Sequence, residues 1–352
     1  MRVDNEYRNK LKWQVTLIRG KSPVASRGRI ITSAEIDGIN TKIIKDLLAD
    51  ARKSFVDIAS ECHVSTATIG ERFSQLEESG IIVGSTLQIN HKATRGGATC
   101  SVIVKADQKE IEQVLDYIKK IPFKIPYLAK SPKNNITLIA GLKDINEVGK
   151  LKEFIRRNTS VLELKTEIWT DVKNMPEKLA VSSLSVDADN PVLPNKFDCQ
   201  VNLDTLDFHI IEKLMQNSMQ PFVKIANEIG TSVNTVSRKY KKLSENGVIR
   251  PTLQVNLPKL GYHAVAIFGL AFASQTDTDS VTEEVMKIRD NTLIIKTSGE
   301  FDLLAHIMLK DINQLLATQN QAAKIPGISK IEITVVPVVV PWPSPGEYIS
   351  TF

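Results

Sequence analysis

Little in this sequence suits chemistry that makes or breaks bonds. Cysteine is scarce: Cys62, Cys100 and Cys199 are odd in number and widely spaced. That excludes a disulfide framework and fits reduced, buried thiols in a cytoplasmic protein. The five histidines, His63, His91, His209, His263 and His306, have no ligand-like spacing to cysteine or carboxylate. There is no Gly-rich phosphate loop, no nucleophile elbow and no HExxH helix. The longest apolar run, Ile333 to Trp342, is broken by Pro337 and Pro341 and is too short to span a bilayer. The N-terminus is charged where an export signal needs an apolar core. These absences point away from an enzyme, a bound metal or cofactor, a membrane span and secretion. A protein that works by binding remains.

What is present is enough chain for two or more domains, 352 residues with 42% hydrophobic and 24% charged. The net charge of +5 is unevenly placed. Residues 1–32 hold eight Arg or Lys against Asp4 and Glu6, a local +6, so the remainder is near −1. A basic arm over residues 1–33 can track phosphate, or be a start without a partner. Trp13 to Ile18 alternates as a short strand does.

The richest stretch is Thr231 to Ile249. Ser232 suits a helix N-cap, and Val236, Tyr240 and Leu243 form one apolar stripe at helical spacing. The other face carries Asn234, Thr235, Ser237, Arg238, Lys239, Lys241 and Lys242, and Gly247 suits the helix end. Upstream, Ile210, Ile211, Leu214 and Met215 mark one helix, and Phe222, Val223, Ile225 and Ala226 a second. Three such helices read as a helix-turn-helix whose last member can enter a major groove. The alternative is a three-helix packing with a solvated basic face.

The chain says nearly the same thing twice. Ser65 to Ile82 lies over Ser232 to Ile249 without a gap, a shift of 167 residues. Thr86-Leu-Gln-Ile-Asn90 matches Thr252-Leu-Gln-Val-Asn256 after a one-residue slip, and Leu142-Lys-Asp-Ile-Asn146 recurs as Leu309 to Asn313. After each helix-turn-helix the apolar pattern gives the order β-α-β-β-α-β, a four-stranded antiparallel sheet with helices on one face. The fold class is α+β, two tandem units, each a three-helix domain followed by a ferredoxin-like domain. The expected divisions are an arm (1–33), helix-turn-helix 1 (34–90), sheet domain 1 (91–170), a proline-bearing linker (171–202), helix-turn-helix 2 (203–256), sheet domain 2 (257–338) and a tail (339–352).

This combination resembles the Lrp/AsnC family of transcription regulators, whose sheet domain is of the RAM type. The resemblance rests on an acidic residue before the first helix (Asp37, Asp207), the Ser-x-x-Thr start of the third helix and its Leu-x-x-x-Gly-[Ile/Val]-Ile exit. It covers about residues 34–170 and 203–338. Family members typically carry one such unit and dimerise, so two units in one chain imply an intrachain pseudo-dimer, with further homo-oligomers open. The resemblance implies double-stranded DNA as partner, contacted by Ser232, Asn234, Thr235, Ser237, Arg238, Lys239, Lys241 and Lys242, and by Ser65, Thr66, Thr68 and Arg72 in the first copy. It also implies a small amino-acid-like effector at the loop holding Ser298, Gly299 and Asp302. Gly299 would admit a carboxylate and Asp302 would pair an ammonium, the alternative being a plain hairpin turn. The first copy has Ser131, Pro132 and Asn135 there and is expected to have lost the site.

The recognition segments are unequal. Ser232 to Asn246 has four cations against Glu245, +3, whereas Ser65 to Ser79 has Arg72 against Glu71, Glu77 and Glu78, −2. Phosphate contacts need cations, so the second copy is expected to be the main reader, on an asymmetric site. Two alternatives stand beside this reading. Sirohaem decarboxylase subunits also resemble Lrp/AsnC proteins and act as unequal pairs, for which the sheets offer mainly His263 and His306. An architectural protein would bind DNA without choosing sequence.

Overall fold

The computed structural model describes residues 36–90, 98–131, 135–181, 201–344 and 348–349. The basic arm, His91, Pro132 and Cys199 therefore lie outside the described residues. The first unit runs α1 (Gly38–Ala49), α2 (Phe55–Cys62), α3 (Thr66–Glu78), β1 (Ile82–Asn90), β2 (Ala98–Ala106), α4 (Ile111–Ile118), β3 (Lys124–Ser131), β4 (Asn135–Leu142), α5 (Glu147–Arg156) and β5 (Val161–Asn174). The second runs α6 (Thr205–Gln216), α7 (Phe222–Ile229), α8 (Val233–Glu245), β6 (Ile249–Val255), β7 (Ala264–Phe272), α9 (Thr278–Met286), β8 (Asn291–Thr297), β9 (Leu303–Leu309), α10 (Ile312–Ala322) and β10 (Ile328–Pro337), and Tyr348–Ile349 forms a short β11. No helix among the described residues is long and apolar enough to cross a membrane. Cys100 is buried and Cys62 half-buried, both as free thiols.

Side-chain caps start both helix-turn-helix units alike. Asp37 accepts from the Asn40 amide at 2.8 Å, and Asp204 accepts from the Asp207 amide at 2.9 Å. Each cap is then tied to the third helix. Arg72 of α3 pairs with Asp37, and Lys239 of α8 reaches Asp204 at 2.6 Å and Asp207 at 2.9 Å. The counterpart of Asp37 is therefore Asp204, at the 167-residue shift, and not Asp207 as the motif alone suggested. Apolar side chains fill the space inside: Ile43, Leu47, Ile58, Ile69 and Leu76 in the first unit, and Ile210, Leu214, Ile225, Val236 and Leu243 in the second, are all buried.

The strands that leave the two units pair with each other. β1 and β6 run antiparallel with Thr86 opposite Thr252, the same residue of the repeat. A residue facing its own counterpart marks a local two-fold axis. The two hydroxyls act reciprocally: Thr86 donates to the Met215 carbonyl at 2.9 Å and Thr252 to the Leu48 carbonyl at 2.8 Å. Two residues away the symmetry breaks. Arg250, opposite Gln88, is buried and donates to Gln88 Oε1 and to the Asn174 carbonyl, each at 2.7 Å. Its counterpart is Gly84, whose partner Gln254 donates instead to the Pro343 carbonyl at 2.8 Å.

The two four-stranded sheets expected from the pattern are one. Eight strands run in the order β10-β7-β9-β8-β5-β2-β4-β3. β5 makes the junction: Val161 to Ile168 pairs with β2, and Trp169 to Asn174 pairs with β8 of the other unit. Its counterpart β10 pairs with β7 and ends at Pro337, where the missing amide stops a ladder. The expected linker beginning at 171 is overtaken in its first third. β5 runs to Asn174, a single 3-10 turn covers Pro176–Lys178, and Leu179, Ala180 and Val181 are buried. The tail returns to its own chain: Trp342 is buried and exchanges backbone hydrogen bonds with Val255 at 2.7 and 3.1 Å, and β11 lies beside β1.

Two outcomes follow from these contacts. Arg250→Met leaves a buried amide oxygen and a buried carbonyl without donors, so it costs about 2–4 kcal/mol in denaturant titrations. Lys239→Met loosens α6 from α8 in a pH-dependent way. The Lys239 hydrogen bond holds the Asp204 carboxyl below its ordinary value. A depressed carboxylate stabilises above its unfolded pKa of about 4, and that contribution disappears as pH falls through the folded value. The melting-temperature gap between the native chain and Lys239→Met is therefore constant from pH 8 to 5 and narrows below about 4.

Candidate nucleic-acid interface

α8 presents its outer face to solvent. Ser232 caps it by accepting from the Thr235 amide at 3.1 Å, and the two hydroxyls meet at 2.8 Å. Ser65 and Thr68 repeat this at the start of α3, at 3.1 and 2.9 Å. These four residues build the helix starts in which they were expected to touch DNA. Beyond the cap, Asn234, Ser237, Arg238, Lys241 and Lys242 are exposed, at spacings that gather them on one side of the helix. Lys241 has a loose i,i+4 contact with Glu245 at 3.6 Å, which holds it little.

Two expected contacts need correction. Lys239 is half-buried and committed to Asp204 and Asp207, and Arg72 is committed to Asp37. They are the same position of the repeat. In both copies the cation ties the third helix to the cap of the first, which a list of basic residues cannot reveal. Without them the contrast between the copies sharpens. The exposed charges of α8 are Arg238, Lys241 and Lys242 against Glu245, +2, and those of α3 are Glu71, Glu77 and Glu78, −3. The repeat sets Asn234, Ser237, Arg238, Lys241 and Lys242 over Ala67, Gly70, Glu71, Ser74 and Gln75. Thr66 is exposed at the α3 start.

Sequence reasoning missed Val233. It opens α8 and is 38% exposed, an apolar group beside Asn234 on the outer first turn. Three residues before Val236, it falls in the period of the core stripe, which hides it. Arg52 was missed as well: it lies in the α1–α2 turn, far along the chain from the rings it covers.

The expected effector loop is engaged within the chain. The Ser298 amide donates to the Ile168 carbonyl at 3.0 Å, and the Asp302 carboxylate accepts from the Phe272 amide at 2.7 Å. Gly299 lies directly against Glu167 of β5, where any Cβ would collide with that side chain. Glu300 pairs with Lys165 at 2.8 Å and Lys330 at 2.7 Å, which hold its carboxyl down at about 2. Burial, and then the Glu300 charge, push the Glu167 carboxyl up. Ser298 and Gly299 thus dock the second sheet on β5, while Asp302 is held by β7 of its own sheet. The glycine serves close packing where a ligand was expected. Of the first-copy positions, only Asn135 is described in full, as a half-buried residue opening β4.

His263 and His306 do not converge. In the β7–β9 ladder Ala264 faces Leu309 and Ile267 faces His306. His263, one residue before Ala264, is thus four steps from His306 along that ladder, roughly 13 Å. His263 is exposed, whereas burial pushes His306 down to about 4.

Comparison with known proteins agrees with this architecture. Residues 36–77 match the model of an AsnC-type helix-turn-helix domain, and residues 203–250 that of a winged helix-turn-helix DNA-binding domain. The HTH-type transcriptional regulator Ptr1 of Methanocaldococcus jannaschii is 31% identical over 114 residues, 32% of this chain and 76% of that protein. The regulator LrpA of Pyrococcus horikoshii is 30% identical over 134 residues, 37% of this chain and 92% of that protein. Among solved structures, the siroheme decarboxylase NirDL superimposes with a TM-score of 0.57 at 15% identity, over 84% of this chain and 89% of that one. At that identity the likeness speaks for the two-unit fold alone. With the relatives matching one unit's length and two helix-turn-helix domains in the chain, this protein belongs to the Lrp/AsnC family as a tandem duplication.

Proposed function

We propose that the chain is a sequence-specific DNA-binding transcription regulator that reads through α8. The observation carrying this is the composition of α8's outer face. Val233 and Asn234 lie on the first turn, Ser237 and Arg238 one turn on, and Lys241 and Lys242 beyond, all exposed. A recognition helix contacts bases from its N-terminal half, so Asn234 and Arg238 face base edges and Val233 can meet a thymine methyl. The two lysines hold phosphate. The family relatives named as transcriptional regulators support the same reading. α3, with an outer charge of −3, is an auxiliary or structural partner, which makes the DNA site asymmetric. Because Ser298, Gly299 and Asp302 are engaged within the chain, the reading places no effector at that loop. Among the described residues, the spread of His263 and His306 gives the decarboxylase reading no converging histidine pair.

The test is fluorescence anisotropy on the DNA upstream of the protein's own gene, against scrambled sequence, across a salt series. Arg238→Ala is expected to weaken the native sequence by about tenfold to a hundredfold and to relax discrimination. Lys242→Ala is expected to weaken both sequences alike and to lower the salt slope by about one. Equal binding of native and scrambled DNA would make the protein architectural. Intact binding in Arg238→Ala together with its loss in Thr66→Ala would move the reader to α3.

A further inference from the structure

Arg52 lies in the turn between α1 and α2, yet its side chain serves the other unit. Its guanidinium carbon is 4.2 Å from the centroid of the Phe222 ring and 5.1 Å from that of Tyr240. Nη2 donates to the Gln220 carbonyl at 2.6 Å. Phe222 opens α7 and Tyr240 sits in the middle of α8, their rings 5.0 Å apart and tilted by 50°. One cation therefore spans both helices of the second helix-turn-helix. The turn that carries it is itself fixed. The Ala51 amide donates to the Pro251 carbonyl of β6 at 3.1 Å, and the Asp50 carboxylate accepts from the Arg52 amide at 2.8 Å. Since α8 runs directly into β6, the first unit grips α8 at its middle and at its exit.

The repeat supplies an internal control. At the 167-residue shift, Met219 stands where Arg52 does, and Phe55 and Phe73 stand for Phe222 and Tyr240. Those rings are 5.2 Å apart and tilted by 52°, and Met219 packs against the core they line. The frame is thus the same on both sides, but of the two ring pairs only that of the helix with the cationic outer face has a guanidinium stacked over it. A cation over an aromatic face is held more strongly when desolvated, and the flat guanidinium fixes ring orientation where a flexible thioether adapts.

We infer that Arg52 is a positioning residue for α8: it sets the angle at which Asn234 and Arg238 meet base edges, and so governs discrimination between DNA sequences. The inference rests on the DNA-reading role proposed above. Base-edge hydrogen bonds weaken steeply when misaligned, whereas lysine–phosphate contacts tolerate a change of angle. Loss of Arg52 therefore removes specificity and leaves the phosphate contribution in place.

The test uses the full chain with Arg52→Ala, Arg52→Lys and, at the mirror position, Met219→Ala. Anisotropy on native upstream and scrambled DNA is paired with amide hydrogen exchange in α3 and α8. Arg52→Ala is expected to weaken native DNA by about tenfold, with scrambled DNA and the salt slope unchanged. Arg52→Lys recovers part of the loss, and Met219→Ala changes neither DNA. Exchange from Val236 to Leu243 quickens in Arg52→Ala, while exchange from Ile69 to Leu76 does not. An equal loss on both DNAs, an equal effect of Met219→Ala, or unchanged exchange in α8 would overturn the inference. If the unsubstituted chain shows no preference for native DNA, the functional reading fails by itself, and Arg52 as an α8 brace is decided by the exchange data alone.

Discussion

Everything in this molecule hangs on the register of one strand pair. With Thr86 opposite Thr252, β1 and β6 place two helix-turn-helix units about a local axis. A slip of one residue would turn every side chain in the pair to the opposite face. It would separate both threonines from the carbonyls of Met215 and Leu48 and draw Arg250 away from Gln88. β11 covers the β1 edge of the pair, and the backbone exchange between Val255 and Trp342 covers part of the β6 edge. The tail is thus a structural part of the axis.

Away from that axis the two-fold relation decays in a definite way. β5 crosses from its own sheet onto β8, and this fuses the sheets and fixes the Ser298–Asp302 loop against Glu167. The reverse crossing is not made: β10 pairs with β7 and stops at Pro337. Among the described strands β3 and β10 are the free edges of the eight-stranded sheet. The same inequality appears between the reading helices. The DNA-binding reading therefore makes one helix the reader and leaves the other as support.

The sequence made the architecture legible because its strongest signals are local and repeated. Ser65 and Ser232 are N-caps, the apolar stripes are buried, and both units have the β-α-β-β-α-β order. What could not be read depends on residues distant in the chain. Lys239 and Arg72 look like free cations until the caps 35 residues upstream, Asp204 and Asp37, come into contact with them. Gly299 looks like a ligand cradle until Glu167, from the other unit, fills the space. Leu179, Ala180 and Val181 look like linker because a short buried segment has no period of its own. In each case the local pattern was right about residue chemistry and silent about the partner.

Joining two units in one chain changes what substitution can do. In a symmetric homodimer every change at an isologous interface occurs twice, so a cation at one site is a cation at both. A second arginine in place of Gly84 would add another buried cation needing acceptors near the same axis. A Cβ at that position alone would come within 3.1 Å of the Gln254 Oε1. Fusion removes that constraint, and the asymmetric pairs have the form it permits: Arg250 with Gly84, Arg52 with Met219, Arg238 with Glu71. Each places a cation on one side and a small, neutral or acidic residue on the other. In the second unit, Arg52 braces the helix from inside and Arg238 lies on its exposed face. A single chain can therefore keep the dimer's frame while assigning reading and support to different halves.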